Sequence, residues 1–256
     1  MTTAANGVAL DEDISASVFF DLRGTPVTGQ TSDPTVSVVI PTLNEEQNIG
    51  VVLSQLPPWV HEVVVVDGHS TDDTVSAAEL ARPDVVIILQ DGKGKGNALS
   101  CGFRVCTGDI IVMMDADGST DPAEIPRFLA ALCTGADFAK GSRFVSGGGS
   151  SDLTPIRRAG NKVLGLLVNG MWGTTYSDLC YGYNAFWRRC LPAMNVDCNG
   201  FEVETLLNIR AAQAGLRVME VPSFEGSRMH GESNLRAYRD GVRVLRTIVA
   251  ERVRPV

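Results

Sequence analysis

Asp115 and Asp117 stand one residue apart just beyond an apolar run, Ile110 to Met114, in the stretch DIIVMMDADGSTD. Two carboxylates at that spacing on a strand tip can face one hard cation, because Mg²⁺ and Mn²⁺ favour oxygen ligands and keep positions open for phosphate and water. The plainer reading is that the pair caps a turn and the helix after it. A calcium loop of the EF-hand kind does not fit. Counted from Asp115, its sixth and twelfth positions hold Thr120 and Pro126, where Gly and Glu are required.

The elements that must carry these acids are legible as period. Short β-branched runs at VSVVI (36–40), EVVVVD (62–67), DVVIIL (84–89) and DIIVMM (109–114) read as buried strands. Between them, 45–55, 74–81, 96–106 and 122–133 read as helices, the last with Asp121 as N-cap and Pro122 at its first position. The alternation predicts an α/β fold, a mainly parallel, doubly wound sheet with helices on both faces. Ligands of such sheets gather beyond the carboxyl ends of the strands. Those ends hold Pro41 to Glu45, Asp67 to Ser70, Asp91 to Lys95 and Asp115 to Asp117, so three of the four bring an aspartate. A dinucleotide site would need G-x-G-x-x-G after the first strand, where PTLNEE stands instead.

After Arg143 a Gly/Ser loop leads to a helix over 155–172, an aromatic stretch YSDLCYGYNAFW (176–187), a helix over 201–214, a strand RVMEVP (217–222) and a last helix over 235–252. No repeat or linker interrupts this, so 36–256 reads as one domain behind a flexible tail, 1–35, in which Val18-Phe19-Phe20 is a short anchor. The net charge of −8 argues against a nucleic-acid partner. Cysteines at 101, 106, 133, 180, 190 and 198 form no C-x-x-C pair, and the first 35 residues lack the basic start and apolar run of a signal peptide, so reduced thiols in the cytoplasm are expected. Val163 to Trp172 is the most apolar helical stretch but is broken by Gly165, Asn169 and Gly170, far short of the roughly 20 residues a span needs. In the last helix Arg236, Arg239, Arg243 and Arg246 run beside Leu235, Tyr238, Val242, Leu245 and Val249. Such a face suits either an anionic bilayer, at the inner membrane surface, or a core-packed helix with solvated arginines.

SVVIPTLNEEQNI, VVVVDGHSTDDT, GKGNAL, IVMMDADGSTDPAEI, GSRF and GFEVETLLNIRAAQAGLRVMEVPSFEGSRMHGESNL, in that order, resemble the blocks of family-2 glycosyltransferases with the GT-A fold, over about 36–240. The subgroup it is most similar to is dolichol-phosphate mannosyltransferase and its bacterial polyprenyl-phosphate relatives. The resemblance implies a single GT-A, Rossmann-like domain that transfers a sugar from a nucleotide diphosphate donor. Pro41, Thr42 and Glu45 would contact the nucleoside, and Asp67 its base or ribose. Asp115, Ala116 and Asp117 would meet the diphosphate, the two acids holding Mg²⁺ or Mn²⁺, with Lys93 or Lys95 stabilising the departing charge. Arg143 and Arg228, with Ser233 close behind, match arginines that grip an acceptor phosphate, whose geometry suits an arginine fork.

Each role has a plainer counterpart: Asp67 as a turn cap, the lysines as loop charges, the arginines as partners of local acids. A polyprenyl phosphate is already ionised at neutral pH and needs no base. A hydroxyl acceptor needs one, for which Asp178, Glu202, Glu204 and His230 are candidates, the two glutamates suiting a helix's first turn equally. Ser119 departs from the subgroup, which commonly carries Gln there. A soluble hydroxyl or phosphate acceptor such as a glycerate, a sugar nucleotidyltransferase and a non-catalytic nucleotide-sugar-binding subunit are the competing readings. The sequence leaves UDP against GDP, the sugar and the oligomeric state open.

Overall fold

A computed structural model describes residues 33–254. The expected tail therefore lies outside the described residues, the Val18-Phe19-Phe20 anchor included, except for its last three positions. There Thr35 is fixed rather than loose, its N–H and Oγ1 both donating to Asp109 Oδ2 at 3.0 and 2.8 Å.

The chain builds β1 (Val36–Thr42), α1 (Ile49–Gln55), β2 (Glu62–Asp67), α2 (Thr74–Ala81), β3 (Val86–Leu89), α3 (Lys95–Val105), β4 (Ile110–Met113), α4 (Ile125–Cys133) and β5 (Phe138–Ser142). There follow β6 (Gly149–Ser150), α5 (Pro155–Trp172), β7 (Asn184–Trp187), α6 (Leu191–Met194), α7 (Val203–Gln213), β8 (Val218–Pro222), β9 (Phe224–Glu225) and α8 (Ala237–Val253). Seven strands form one sheet in the order β3-β2-β1-β4-β7-β5-β8. All its pairings are parallel except the two made by β7.

Alternate side chains of each strand leave on opposite faces, and both faces are covered. Val38, Ile40, Val63 and Val65 meet Ile49, Leu53 and Phe128 of α1 and α4, while Val39, Val64 and Val66 meet Leu99, Phe103 and Leu207 of α3 and α7. A third cluster, Val168, Tyr176, Ile209, Val244 and Ile248, seats α5 and α8 on α7. The expected α/β architecture is therefore present, with three local differences. The helix expected from 45 begins at Ile49, because the Glu45 N–H goes to Thr74 Oγ1 and its carbonyl closes a turn with Asn48 and Ile49. The run 84–89 pairs only from Val86 and is an edge strand, with Leu89 62% exposed, not a buried one. The helix at 122–133 opens with a single 3₁₀ turn, which Asp121 caps by accepting from the Ala123 N–H.

From β1 the chain lays β2 and β3 to one side, then returns to place β4 on the other. The order thus reverses between β1 and β4, where diverging connections open a crevice beyond the strand ends.

Candidate active site

The crevice is a cavity of about 1220 Å³. Pro41, Thr42, Leu43 and Glu45 after β1, Gly68 after β2, Gln90 after β3, and Asp115, Ala116, Asp117 and Ser119 after β4 form one end. Arg143, Glu225, Arg228 and Ser233 also line it, as do Lys95, Gly182, Phe201 and Glu204. Away from the sheet it continues between α5 and α8, along Leu153, Ile156, Val163, Leu164, Leu235, Tyr238, Val242 and Leu245. A polar chamber at the switch point thus opens into an apolar groove.

Every carboxylate at the polar end already faces a cation. Lys95 Nζ lies 2.5 Å from Asp115 Oδ1 and 2.8 Å from Glu204 Oε1. Burial works to lower the pKa of this ammonium, but Asp115 and Glu204 more than reverse it and keep the lysine charged. Arg228 Nη1 donates to both oxygens of Glu45, and its Nη2 lies 3.5 Å from Asp117 Oδ2. Burial raises the Glu45 carboxyl above its ordinary range, although Asn48 and Arg228 act in the other direction. Within this ring, Glu45, Asp115, Asp117 and Glu204 exceed Lys95 and Arg228 by two negative charges.

The loop after β4 is held by the segment that follows β9. The Gly226 N–H donates to the Ser119 carbonyl at 2.7 Å and the Met229 N–H to the Asp117 carbonyl at 3.0 Å, while Asp117 Oδ1 accepts from the Ser119 N–H. Gly118 has φ +76°, a conformation that favours glycine, and a Cβ there would also crowd the Met229 side chain.

Other expected site residues take different places. Asp67 is 2% exposed and caps its own turn by accepting from the Ser70 N–H at 3.0 Å; its neighbour Gly68, rather than Asp67, lines the cavity. Asp91 turns outward to Asn97 and Arg104, so of the strand-end aspartates only Asp115 and Asp117 line the cavity. Lys93 is exposed in the loop before α3 and borders a second recess with Arg239 and Arg243. Asp178 is fully buried and gives both oxygens to Arg143, Oδ2 to Nε at 2.7 Å and Oδ1 to Nη2 at 2.9 Å. It lines no part of the cavity. Among the base candidates Glu204 alone borders the cavity; Glu202 instead accepts from the Gly200 N–H and faces Arg243. His230 is exposed, with its carbonyl taken by Asn48 and Arg228. Ser233 Oγ accepts from the Leu235 N–H at the groove's entrance.

Gly182, Phe201, Glu225 and the groove residues of α5 escaped the sequence reading. Glu225 completes the Arg143 fork, accepting from Nη1 at 3.0 Å, and Phe201 places its ring 5.9 Å from Lys95 Nζ. Of these, only the α5 residues carry a local signal, an amphipathic spacing over 155–172 that the sequence reading did not use.

Residues 37–193 match the model of glycosyl transferase family 2. The chain belongs to that family. It is 35% identical over 225 residues to the low-salt glycan biosynthesis hexosyltransferase Agl6 of Haloferax volcanii, which covers 83% of this chain but only 52% of Agl6. The chain therefore spans about half the length of that relative. It is 34% identical over 212 residues to the undecaprenyl-phosphate mannosyltransferase of Micrococcus luteus, covering 78% of this chain and 87% of the other. Among solved structures, glucosyl-3-phosphoglycerate synthase from Mycobacterium tuberculosis, with Mn²⁺, UDP-glucose and phosphoglyceric acid, superposes with a TM-score of 0.69 at 26% identity. That match covers 88% of this chain and 82% of the other, and it bears out the GT-A expectation. No helix of the described residues is long and apolar enough to cross a membrane, and none of their cysteines forms a disulfide.

Proposed function

We propose that this family-2 domain is a metal-dependent, inverting hexosyltransferase that moves a sugar from a nucleotide diphosphate donor to a polyprenyl phosphate. The observation that carries the reading is the continuity of the cavity, from the acids at the strand tips to the apolar groove between α5 and α8. A small acceptor has no use for such a groove, whereas an isoprenoid chain would cover it.

The residues present suit a divalent ion. Among the described residues no three His, Cys, Asp or Glu side chains converge as a complete cage. Asp115 and Asp117 offer two oxygen donors on one wall, which is what Mg²⁺ uses when substrate phosphates and water fill its remaining positions. The ring's excess of two negative charges fits that ion, and Gly182 keeps the space between Asp115 and Glu204 clear. Such an ion stabilises charge on the departing diphosphate.

The chain's own groups do the rest. Pro41, Thr42 and Gly68 form a shelf for the nucleoside, and Glu45 faces it from the same turn. Arg228 Nε is buried with no hydrogen-bond partner among the described residues, a donor for an anion. Arg143 stands behind it, oriented by Asp178 and Glu225, beside the mouth of the groove. An acceptor phosphate held there attacks the anomeric carbon from the face opposite the leaving diphosphate. It is ionised already, so no side chain need take its proton, which accords with Asp178 being committed to Arg143.

The outer margins of α5 and α8 extend this reading to a membrane surface. Ile156, Val163 and Leu166 of α5 and Tyr238, Val249 and Val253 of α8 are exposed, Ile156 at 77% and Tyr238 at 87%. Arg158, Lys162, Arg239 and Arg246 stand exposed on the same helices, while the acids of α8, Asp240 and Glu251, are buried. An apolar margin with cations suits the interface of an anionic bilayer.

A second reading, a soluble phosphorylated acceptor, is favoured by the phosphoglyceric acid in the structural neighbour. A thermal-shift panel decides between donor classes: UDP- and GDP-sugars with and without Mn²⁺, in which the true donor stabilises the fold only with the ion. Transfer to a short-chain polyprenyl phosphate but not to phosphoglycerate then supports the lipid acceptor. The reverse outcome replaces it with the soluble one.

A further inference from the structure

Lys95 holds one of the two carboxylate oxygens through which Asp115 could take an ion. Its Nζ, 2.5 Å from Asp115 Oδ1, is the shortest of the contacts to that carboxylate, and its side chain is 10% exposed. The backbone that carries it is packed closely against residues 198–200. Gly94 has φ +85° and a Cβ there would run into the Asn199 carbonyl; at Gly96 a Cβ would meet the Cys198 carbonyl at 2.6 Å. The Gly96 N–H also donates to the Asn199 carbonyl at 3.0 Å. With the backbone so packed, a displacement falls to the side chain, and Glu204, in the first turn of α7, can retain one side of the ammonium.

We propose that Lys95 is a built-in counter-ion of Asp115 that the donor's diphosphate draws away, so that the divalent cation enters together with the donor and not before it. This rests on the metal-dependent reading above. An ammonium and a divalent ion cannot share one carboxylate oxygen without strong repulsion, so the resting pair lowers the affinity of the site for the ion alone. An incoming diphosphate offers the ammonium another anion while Glu204 still holds it. Asp115 is then released to the ion that accompanies the phosphates. Because binding couplings are reciprocal, the ion and the nucleotide each tighten the other through this one side chain. Gly182 leaves room for the swing, since a Cβ there would stand 2.7 Å from Lys95 Nζ and 3.1 Å from Asp115 Oδ2.

The test is the affinity for Mn²⁺, read by electron paramagnetic resonance of the free ion, in the absence of nucleotide and again with saturating UDP or GDP. Lys95→Met should bind Mn²⁺ alone at least about tenfold more tightly than the wild type, within the usual range of couplings between two sites. The added gain from nucleotide should shrink by a similar factor. Lys93→Met deletes the same charge from the neighbouring exposed loop and should change neither number. Lys95→Gln, which keeps a hydrogen bond to Glu204, should behave like Lys95→Met and serves if the methionine variant does not fold. Equal Mn²⁺ affinity in wild type and both Lys95 variants overturns the proposal, as does an equal rise in Lys93→Met. If no variant, nor the wild type, retains Mn²⁺ even with UDP or GDP, the metal-dependent reading itself is lost, an outcome distinct from both.

Discussion

Arg228 donates through Nη1 to both carboxylate oxygens of Glu45 at 2.9 Å, although the two residues lie 183 positions apart. The same guanidinium reaches toward Asp117 at 3.5 Å, so one arginine joins the turn after β1, the loop after β4 and the segment after β9. Arg228→Ala should leave Glu45 buried without its main cationic partner and cost on the order of 2 kcal/mol of stability. Chemical denaturation would measure that cost. Arg228→Lys should recover less than half of it, because a single ammonium cannot reproduce the fork.

Asp117→Asn keeps the size of the side chain and a carbonyl oxygen for the Ser119 N–H, so the fold should change little. What it removes is one of the two charges that, on the proposed reading, would hold the ion against the donor's diphosphate. Release of nucleoside diphosphate should fall by at least about 10²-fold, comparable with the loss of one transition-state-stabilising group elsewhere. The Mn²⁺-dependent thermal shift given by the donor should disappear with it. A variant that keeps its full shift while losing turnover would place Asp117 outside the metal site.

The parts of the fold written in local pattern were legible beforehand. β1, β2 and β4 are continuous β-branched runs because both of their faces are covered, and each ends near a polar residue because its tip meets the crevice. β5 and β7 were not legible. FAKGS hides a buried lysine, Lys140, whose charge is answered by Glu220, and NAFW runs antiparallel between two parallel neighbours, an arrangement that no local spacing encodes. The site divides in the same way. Asp115 and Asp117 announce themselves by their spacing, but the contacts Lys95 makes with Glu204, and Arg228 with Glu45, join segments far apart in the chain. Asp67 reads two ways because an acid at a strand end serves equally to cap a turn, and here its oxygens accept from the Ser70 N–H.

The exposed apolar margin makes a direct prediction for membranes. Ile156→Asp together with Leu166→Asp should weaken cosedimentation with vesicles containing anionic lipid by about tenfold or more, since each side chain would otherwise bury an apolar surface worth on the order of 2 kcal/mol. Arg239→Gln with Arg246→Gln should weaken it further, and more at low salt than at high, each arginine near such a surface contributing about 1 kcal/mol. The intact protein should bind anionic vesicles better than neutral ones. Equal binding to both, or none to either, would remove the membrane from the proposal while leaving the groove as a site for a short acceptor.

Asp178 separates a structural acid from a catalytic one. Burial pushes its carboxyl up, but the hydrogen bonds and charge of Arg143, with the charge of Lys140, outweigh burial and hold it below the ordinary aspartate range. A carboxyl depressed by folding stabilises the protein above its unfolded pKa, near 3.9, and that contribution is lost as the pH falls through the folded value. Part of the acid unfolding of the wild type below about pH 4 should therefore come from this pair. Asp178→Asn should lose about 3–5 kcal/mol at neutral pH, the usual cost of stripping one partner from a buried ion pair, and its stability should fall less steeply on acidification. Urea denaturation from pH 3 to pH 7 would measure both effects. If Asp178 were instead the base for a hydroxyl acceptor, the asparagine variant would keep its stability and lose turnover at every pH, because it has no proton-accepting oxygen of comparable basicity. Two oxygens fixed on Arg143 at 2.7 and 2.9 Å, with no face on the cavity, make the first outcome the expected one.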